Sequence, residues 1–373
     1  MEVKSMTEAA WIGLVLAFVL ALMLTPLVKK LAIKIGAIDK PNQRKVHDRI
    51  MPRMGGLAIF FAFAIVAIYM LMTGTFESPN IILGFLFGGA AIVLVGALDD
   101  KFELSPKWKL LGQTIAAAIV VAFGVKIDII SVPFSDSYID LGWLSIPITM
   151  FWIVAITNAV NLIDGLDGLA AGVSAIATTT IMILSIIMGN IPVFIICAIL
   201  LGSIIGFLFF NFYPAKIFMG DTGALFLGFM LASLSILGYK QAAFVSFVIP
   251  FLILGVPLSD TFFAIIRRKL NNKPISVADK SHLHHCLLRL GLSHRNTVLV
   301  IYAIAAFFGL SAIILSQVSL WATIALFAVL MLIIEVGAES IGLFRRKKPL
   351  LYFFHRIRLN TKRYLADRYR VSK

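Results

Sequence analysis

The chain has 373 residues, 60% of them hydrophobic and 14% charged, with a mean hydropathy of +0.97 and a formal net charge of +14. That composition excludes a soluble domain, whose surface must face water. An all-α polytopic membrane protein is expected instead.

Apolar runs of about the 20 residues that cross a bilayer are read at 9–28, 54–73, 80–98, 109–125, 145–163, 168–188, 192–210, 222–238, 241–266, 297–315 and 319–337. They predict about eleven transmembrane helices. The first run is followed by Lys29, Lys30 and Lys34 without a small-residue cleavage site, so it is expected to remain as an anchor. The next loop is basic, and its Gly55-Gly56 pair would let backbone approach a ligand or another helix. The third run ends at Asp99-Asp100, and the fourth and fifth are interrupted by Gln113, Thr157 and Asn158. Between these two, alternating apolar and polar residues around Ser135-Asp136-Ser137 predict a short external β-hairpin after the fourth helix. A single catalytic domain is expected over 1–337, with a basic tail over 338–373 that would lie against anionic membrane lipids. No nucleic-acid partner is expected. Cys197 and Cys286 fall at different depths and imply no disulfide framework.

With the N-terminus outside, all Lys and Arg except Lys4, Lys126 and Lys240 fall in cytoplasmic segments, including the C-terminal tail. This is the positive-inside bias. The same alternation places the acidic and histidine clusters at one membrane face. A carboxylate near hydrocarbon costs roughly 2.5–3.5 kcal/mol on insertion scales, so its repetition at span ends points to a shared polar site.

Asp99-Asp100 can hold a hard cation through oxygen ligands, as Mg²⁺ takes one or two carboxylates plus substrate phosphates; an ordinary solvated helix end is the bland reading. In NAVNLIDGLDG, Asn158, Asn161 and Asp164 recur every third residue and trace a polar stripe that ends at Gly165 and Gly168, beside Asp167. Amides and carboxylates can read a nucleobase or sugar edge, or can pack helices together. FNFYPAKIFMGDTG brings Asn211, Phe218 and Asp221 to the next opening, where Asp221 could instead cap the following helix. In HLHH, His282, His284 and His285 lack the Cys or His companions of a zinc site and suit hydrogen bonds to a diphosphate. There is no Walker A or GxGxxG cradle, so diphosphate charge would be met by Mg²⁺ and by Lys45, Arg49, Arg53, Lys107 and Lys109. That arrangement suits phosphoryl transfer.

The ordered motifs PRMGG, GALDDKFELSPKWKLLGQ, NAVNLIDGLDGLAAG, FNFYPAKIFMGDTGALFLG and HLHH resemble the polyprenyl-phosphate N-acetylhexosamine-1-phosphate transferase superfamily (glycosyltransferase family 4). The HLHH form is more similar to its WecA and TagO branch than to MraY. The resemblance covers residues 1 to about 295. It implies transfer of N-acetylglucosamine 1-phosphate from UDP-GlcNAc to undecaprenyl phosphate, releasing UMP and starting a cell-envelope glycan such as teichoic acid or O-antigen. Mg²⁺, or Mn²⁺ in its place, would be the cofactor, the bacterial cytoplasmic membrane the location, and a homodimer the assembly.

By motif, Asp99 and Asp100 would lie near the lipid phosphate, with Asp221 and Asp100 at the metal. Asn158, Asn161, Asp164 and Asp167 would line the donor site, Asn211 and Phe218 would flank uracil, and His284 and His285 would touch the diphosphate or sugar, with His282 peculiar to the branch. Lys109 and Arg53 complete the expected substrate-binding set. Direct attack by the lipid phosphate is expected, with a covalent aspartyl-phosphate route as the alternative. Transfer of phospho-MurNAc-pentapeptide is the alternative within the family. An ion-coupled transporter is the alternative outside it, although its charges should sit near the bilayer midplane.

Overall fold

A computed structural model describes residues 3–39, 50–76, 79–131, 138–237, 245–270, 272, 282–318 and 320–341. The helices in chain order are α1 (Val3–Ile35), α2 (Gly56–Met72), α3 (Pro79–Phe102), α4 (Pro106–Ala122), α5 (Ser145–Ile163), α6 (Leu169–Ile187), α7 (Ile191–Asn211), α8 (Gly220–Leu237), α9 (Val245–Ile253), α10 (Gly255–Leu270), α11 (Leu283–Arg289), α12 (His294–Leu315) and α13 (Leu320–Ile341). Two small antiparallel ladders join them: β1 (Ile38–Asp39) with β2 (Met51–Pro52), and β3 (Ile129–Ser131) with β4 (Tyr138–Asp140), where Ile129 faces Asp140.

Among the described residues, seven helices are long and apolar enough to cross a membrane, namely α1, α3, α5 with the turn before it, α6, α7, α8 and α12. The chain is therefore a polytopic helical membrane protein, and these seven helices fall on seven of the eleven runs expected to span. The apolar stretches in α2 and α13 are shorter, and α4 has 17 residues. The run expected as one span over 241–266 is split at Leu254 into α9 and α10. Pro257 supplies no N–H for the next helical bond, and its ring crowds the preceding turn. Ser135-Asp136-Ser137, Lys45, Arg49 and residues 342–373 of the basic tail lie outside the described residues.

Helix α8 is the axis of the bundle. Thr222 to Leu237 are all buried, as expected of a helix that is apolar all round. It packs chiefly on α3 and α5 and also touches α2 and α6. The largest helix pair is α1 with α7, which meet on small residues. Ala10, Ala17 and Ala21 are fully buried, and a Cβ at Gly202 would collide with the Leu14 carbonyl oxygen. Between helices in lipid, such close backbone approach replaces the hydrophobic driving force that water would provide.

One end of α8 is built to receive its neighbours. A Cβ at Gly56 would strike the Gly223 backbone, and one at Gly96 the Thr222 backbone. The start of α2 and the end of α3 therefore lie directly on the first turn of α8. The segment before α2 is strapped to the segment before α8: Phe218 N–H donates to Pro52 C=O (2.9 Å), Gly55 N–H to Phe218 C=O (3.0 Å) and Gly56 N–H to Met219 C=O (2.9 Å).

Candidate active site

The carboxylate of Asp100 caps α8 from another helix. Its Oδ1 accepts from Asp221 N–H (2.9 Å), and its Oδ2 accepts from Thr222 N–H (3.0 Å) and Thr222 Oγ1–H (2.6 Å). A side-chain oxygen satisfying the orphan amides of a first helical turn is ordinary capping chemistry, here done across 121 residues of sequence. Asp221 does not cap its own helix. It is free to point its carboxylate at its neighbours.

Lys109 on α4 joins those neighbours. Its Nζ lies 2.8 Å from Asp99 Oδ2 and 3.0 Å from Asp221 Oδ1, and donates to Asn161 Oδ1 at 3.2 Å. Asn161 Nδ2 in turn donates to Asp221 Oδ1. Asp99 Oδ1 accepts the Leu104 amide (2.7 Å), which fixes the turn out of α3. One ammonium thus bridges two carboxylates that would otherwise repel each other.

Asp221 and Asn161 of this group, but not Asp99 or Lys109, border a cavity of about 450 Å³, a size suited to a small-molecule ligand. Five aspartates, Asp39, Asp100, Asp164, Asp167 and Asp221, line it together with Asn161. Arg53, His284 and His285 form other parts of the wall, as do Asn211 and Phe218. Asp164 follows the end of α5. Burial first, and then the charges of Asp221, Asp100 and Asp167, push its carboxyl up to about 8. His284 packs on Gly165 and stands 4.2 Å, ring to ring, from His285. Burial and the neighbouring His285 hold its imidazole down at about 3. It is neutral at physiological pH.

Several expected residues are placed differently. Asn158 is not in the cavity wall. Its Nδ2 donates to Gln113 Oε1 (2.6 Å) and Val154 C=O (2.8 Å), while Gln113 Nε2 donates back to its Oδ1 (3.2 Å). A buried amide in a span is satisfied there by another amide, which makes Asn158 a strut between α4 and α5. Asn211 borders the cavity, but its side chain braces backbone at both ends, accepting from Gly168 N–H (3.1 Å) and donating to Ile217 C=O (3.0 Å). This occupies the groups that would read uracil. His282 lies behind the wall, with Nδ1 2.8 Å from Asp260 Oδ2, while Asp260 Oδ1 accepts the Leu283 amide at 2.8 Å. Arg53 is paired with Asp39 at 2.7 Å.

Residues 82–239 match the family description "Glycosyl transferase family 4". Over 358 residues the chain is 48% identical to the probable undecaprenyl-phosphate N-acetylglucosaminyl 1-phosphate transferase of Bacillus subtilis, covering 94% of this chain and 99% of that protein. It is 36% identical to the decaprenyl-phosphate N-acetylglucosaminephosphotransferase of Mycolicibacterium smegmatis over 79% of each. To the phospho-N-acetylmuramoyl-pentapeptide-transferase of Staphylococcus aureus it is 33% identical, over 81% of this chain and 96% of that protein.

The chain belongs to glycosyl transferase family 4.

The family match spans α3 to α8 and so contains Asp99, Asp100, Asp164, Asp167, Asp221 and Lys109, but Asp39, α11 and α12 lie beyond it. Of three side chains that the sequence reading missed, Asp260 and His294 come from outside those motifs and Tyr213 from within one. Asp260 was legible as a lone carboxylate inside an apolar run. His294 and Tyr213, stacked at 4.6 Å and both in the cavity wall, gave no signal, because a histidine after Ser293 reads as an ordinary helix start.

The donor set of this family 4 site fits a hard divalent cation. Its oxygens are carboxylate and amide, with no thiolate. Among the described residues no three His, Cys, Asp or Glu side chains are grouped to hold a metal by themselves. A Mg²⁺ ion bound here would therefore take one or two carboxylates and fill its shell with water and diphosphate oxygens.

Proposed function

We propose that this chain transfers N-acetylglucosamine 1-phosphate from UDP-GlcNAc to undecaprenyl phosphate, releasing UMP and forming the first lipid-linked intermediate of a cell-envelope glycan. The observation that carries the reading is the Asp99–Lys109–Asp221–Asn161 cluster, fixed on the Asp100 cap beside a carboxylate-rich cavity that Asp221 and Asn161 line, in a chain 48% identical to a relative of that name. The charge distribution along the sequence supports a bacterial cytoplasmic membrane protein with the site facing the cytoplasm. There a water-soluble donor can reach a lipid-embedded acceptor.

The acceptor phosphate has a second pKa of about 6 and is largely dianionic at neutral pH, so it needs no strong base. One of its oxygens attacks the phosphorus that bears the sugar. The bond from that phosphorus to the bridging oxygen breaks, and UMP leaves with the electron pair. Asp99 positions the acceptor through its pairing with Lys109, whose ammonium offsets charge as the two phosphates approach. Asp164, Asp167 and Asn161 hold the nucleotide sugar, with Phe218 and Arg53 on the facing wall. Neutral His284 offers hydrogen bonds without adding charge, with His285 beside it. Asp221, and Asp100 through the oxygen that accepts only one hydrogen bond, would hold Mg²⁺, or Mn²⁺ in its place, which when bound neutralises charge on the diphosphate.

The test is UMP release by the full chain in detergent, with radiolabelled UDP-GlcNAc and undecaprenyl phosphate. Release that needs both substrates and stops in EDTA supports the reading. Release only with UDP-MurNAc-pentapeptide, or none with either donor, overturns it.

A further inference from the structure

The turn from Asp164 to Gly168 carries two carboxylates of the cavity, and the backbone of its second half, Asp167 and Gly168, is held by side chains from elsewhere. Asp167 N–H donates to His294 Nε2 (3.0 Å) and Gly168 N–H to Asn211 Oδ1 (3.1 Å). Gly168 C=O accepts from the Tyr302 hydroxyl. Gly168 has φ of +74°, a left-handed conformation that lets the chain turn sharply into α6. The Asp167 carboxylate accepts the Ala215 amide at 2.9 Å. Two of these clamps, His294 and Tyr302, come from α12.

We infer that His294 is a positioning residue for the sugar-nucleotide donor, holding the Asp164–Gly168 turn in its binding conformation by accepting the Asp167 amide on Nε2. The inference rests on the proposed reaction. Because Nε2 accepts, the ring proton resides on Nδ1. The ring is fixed further by its stack on Tyr213 at 4.6 Å. Loss of the imidazole leaves a part-buried amide without a partner and frees the turn, which weakens donor binding before it touches the chemical step. Acceptor binding, at the Asp99–Lys109 end, is unaffected.

Full-length wild type, His294→Ala, His294→Gln and His294→Asn are compared in detergent by UMP release, varying UDP-GlcNAc and undecaprenyl phosphate in turn. In His294→Ala the donor KM rises about 10-fold, the scale of one unsatisfied buried donor, while kcat and acceptor KM stay within about twofold. Gln, whose amide oxygen reaches the Nε2 position, restores donor KM to within about threefold of wild type; Asn, one methylene shorter, does not. If the Ala variant does not fold, Tyr302→Phe carries the same expectation, a rise of about threefold in donor KM alone. An unchanged donor KM, a fall in kcat at constant KM, or Gln no better than Ala overturns the inference. Wild type that releases no UMP overturns the proposed reaction instead, so the two failures are separable.

Discussion

At the scale of single residues, Asp164 is the side chain whose protonation depends most on its surroundings. Its carboxyl, pushed up to about 8 from an ordinary 3.8, is protonated in folded and unfolded chains alike below pH 4. As pH rises from 4 to 8 the unfolded chain ionises while the folded one holds its proton, so stability falls across that window and levels off above it. Asp164→Asn should flatten part of that fall. In EDTA at pH 8 the variant should melt above wild type by light scattering, and with Mg²⁺ present it should lose turnover; a lower melting point would refute the assignment. Asp260 matters through its hydrogen bonds. Asp260→Ala strips partners from His282 and from the Leu283 amide, at a cost of about 1–3 kcal/mol for a buried group left unpaired. Asp260→Asn, which keeps an acceptor for that amide, should retain more turnover and a higher thermal midpoint. Asp99, Asp100, Asp164 and Asp221 were legible because a carboxylate at the edge of an apolar run stands out. The His294 contact was not, since its partner is 127 residues away and neither residue type is unusual where it stands.

At the scale of elements, the start of α8 decides the site. It is held from one side by the Asp100 carboxylate and from two others by the glycine contacts of α2 and α3. Gly96→Ala puts a methyl against the Thr222 backbone, an overpacking that costs about 1–3 kcal/mol. It should separate Asp100 from α8 and reduce turnover at least about tenfold, with a lowered thermal midpoint. Gly124→Ala meets no atom within contact distance, but its φ of +100° makes it a control for backbone strain without a steric clash; it should lower the thermal midpoint and leave donor and acceptor KM unchanged. The apolar runs marked where helices lie, because about 20 apolar residues in sequence are a strong signal. They did not mark the division of 241–266 into α9 and α10, since Pro257 reads equally as a kink within one helix or as the start of the next. The meeting of glycines with backbone was invisible for a different reason: a small residue permits close approach without saying to what.

At the scale of the whole molecule, the proposed orientation puts Lys107 and Tyr138 on opposite sides of the membrane. Both are exposed, and Cys197 and Cys286 are buried, which keeps background labelling low. In intact cells a membrane-impermeant maleimide should label Tyr138→Cys at once, and Lys107→Cys only after permeabilisation; the reverse pattern would invert the site. The sequence by itself determined that the chain is a helical membrane protein and to which family it belongs, because hydropathy and motif order are local properties of the chain. Only the tertiary structure decided that Asp100 caps α8, that Lys109 bridges Asp99 and Asp221, that Asn158 and Asn211 brace the scaffold, and that α12 clamps the Asp164–Gly168 turn. Each of these is a hydrogen bond or ion pair between helices distant in sequence, and buried polar groups take whichever partner packing brings within about 3 Å.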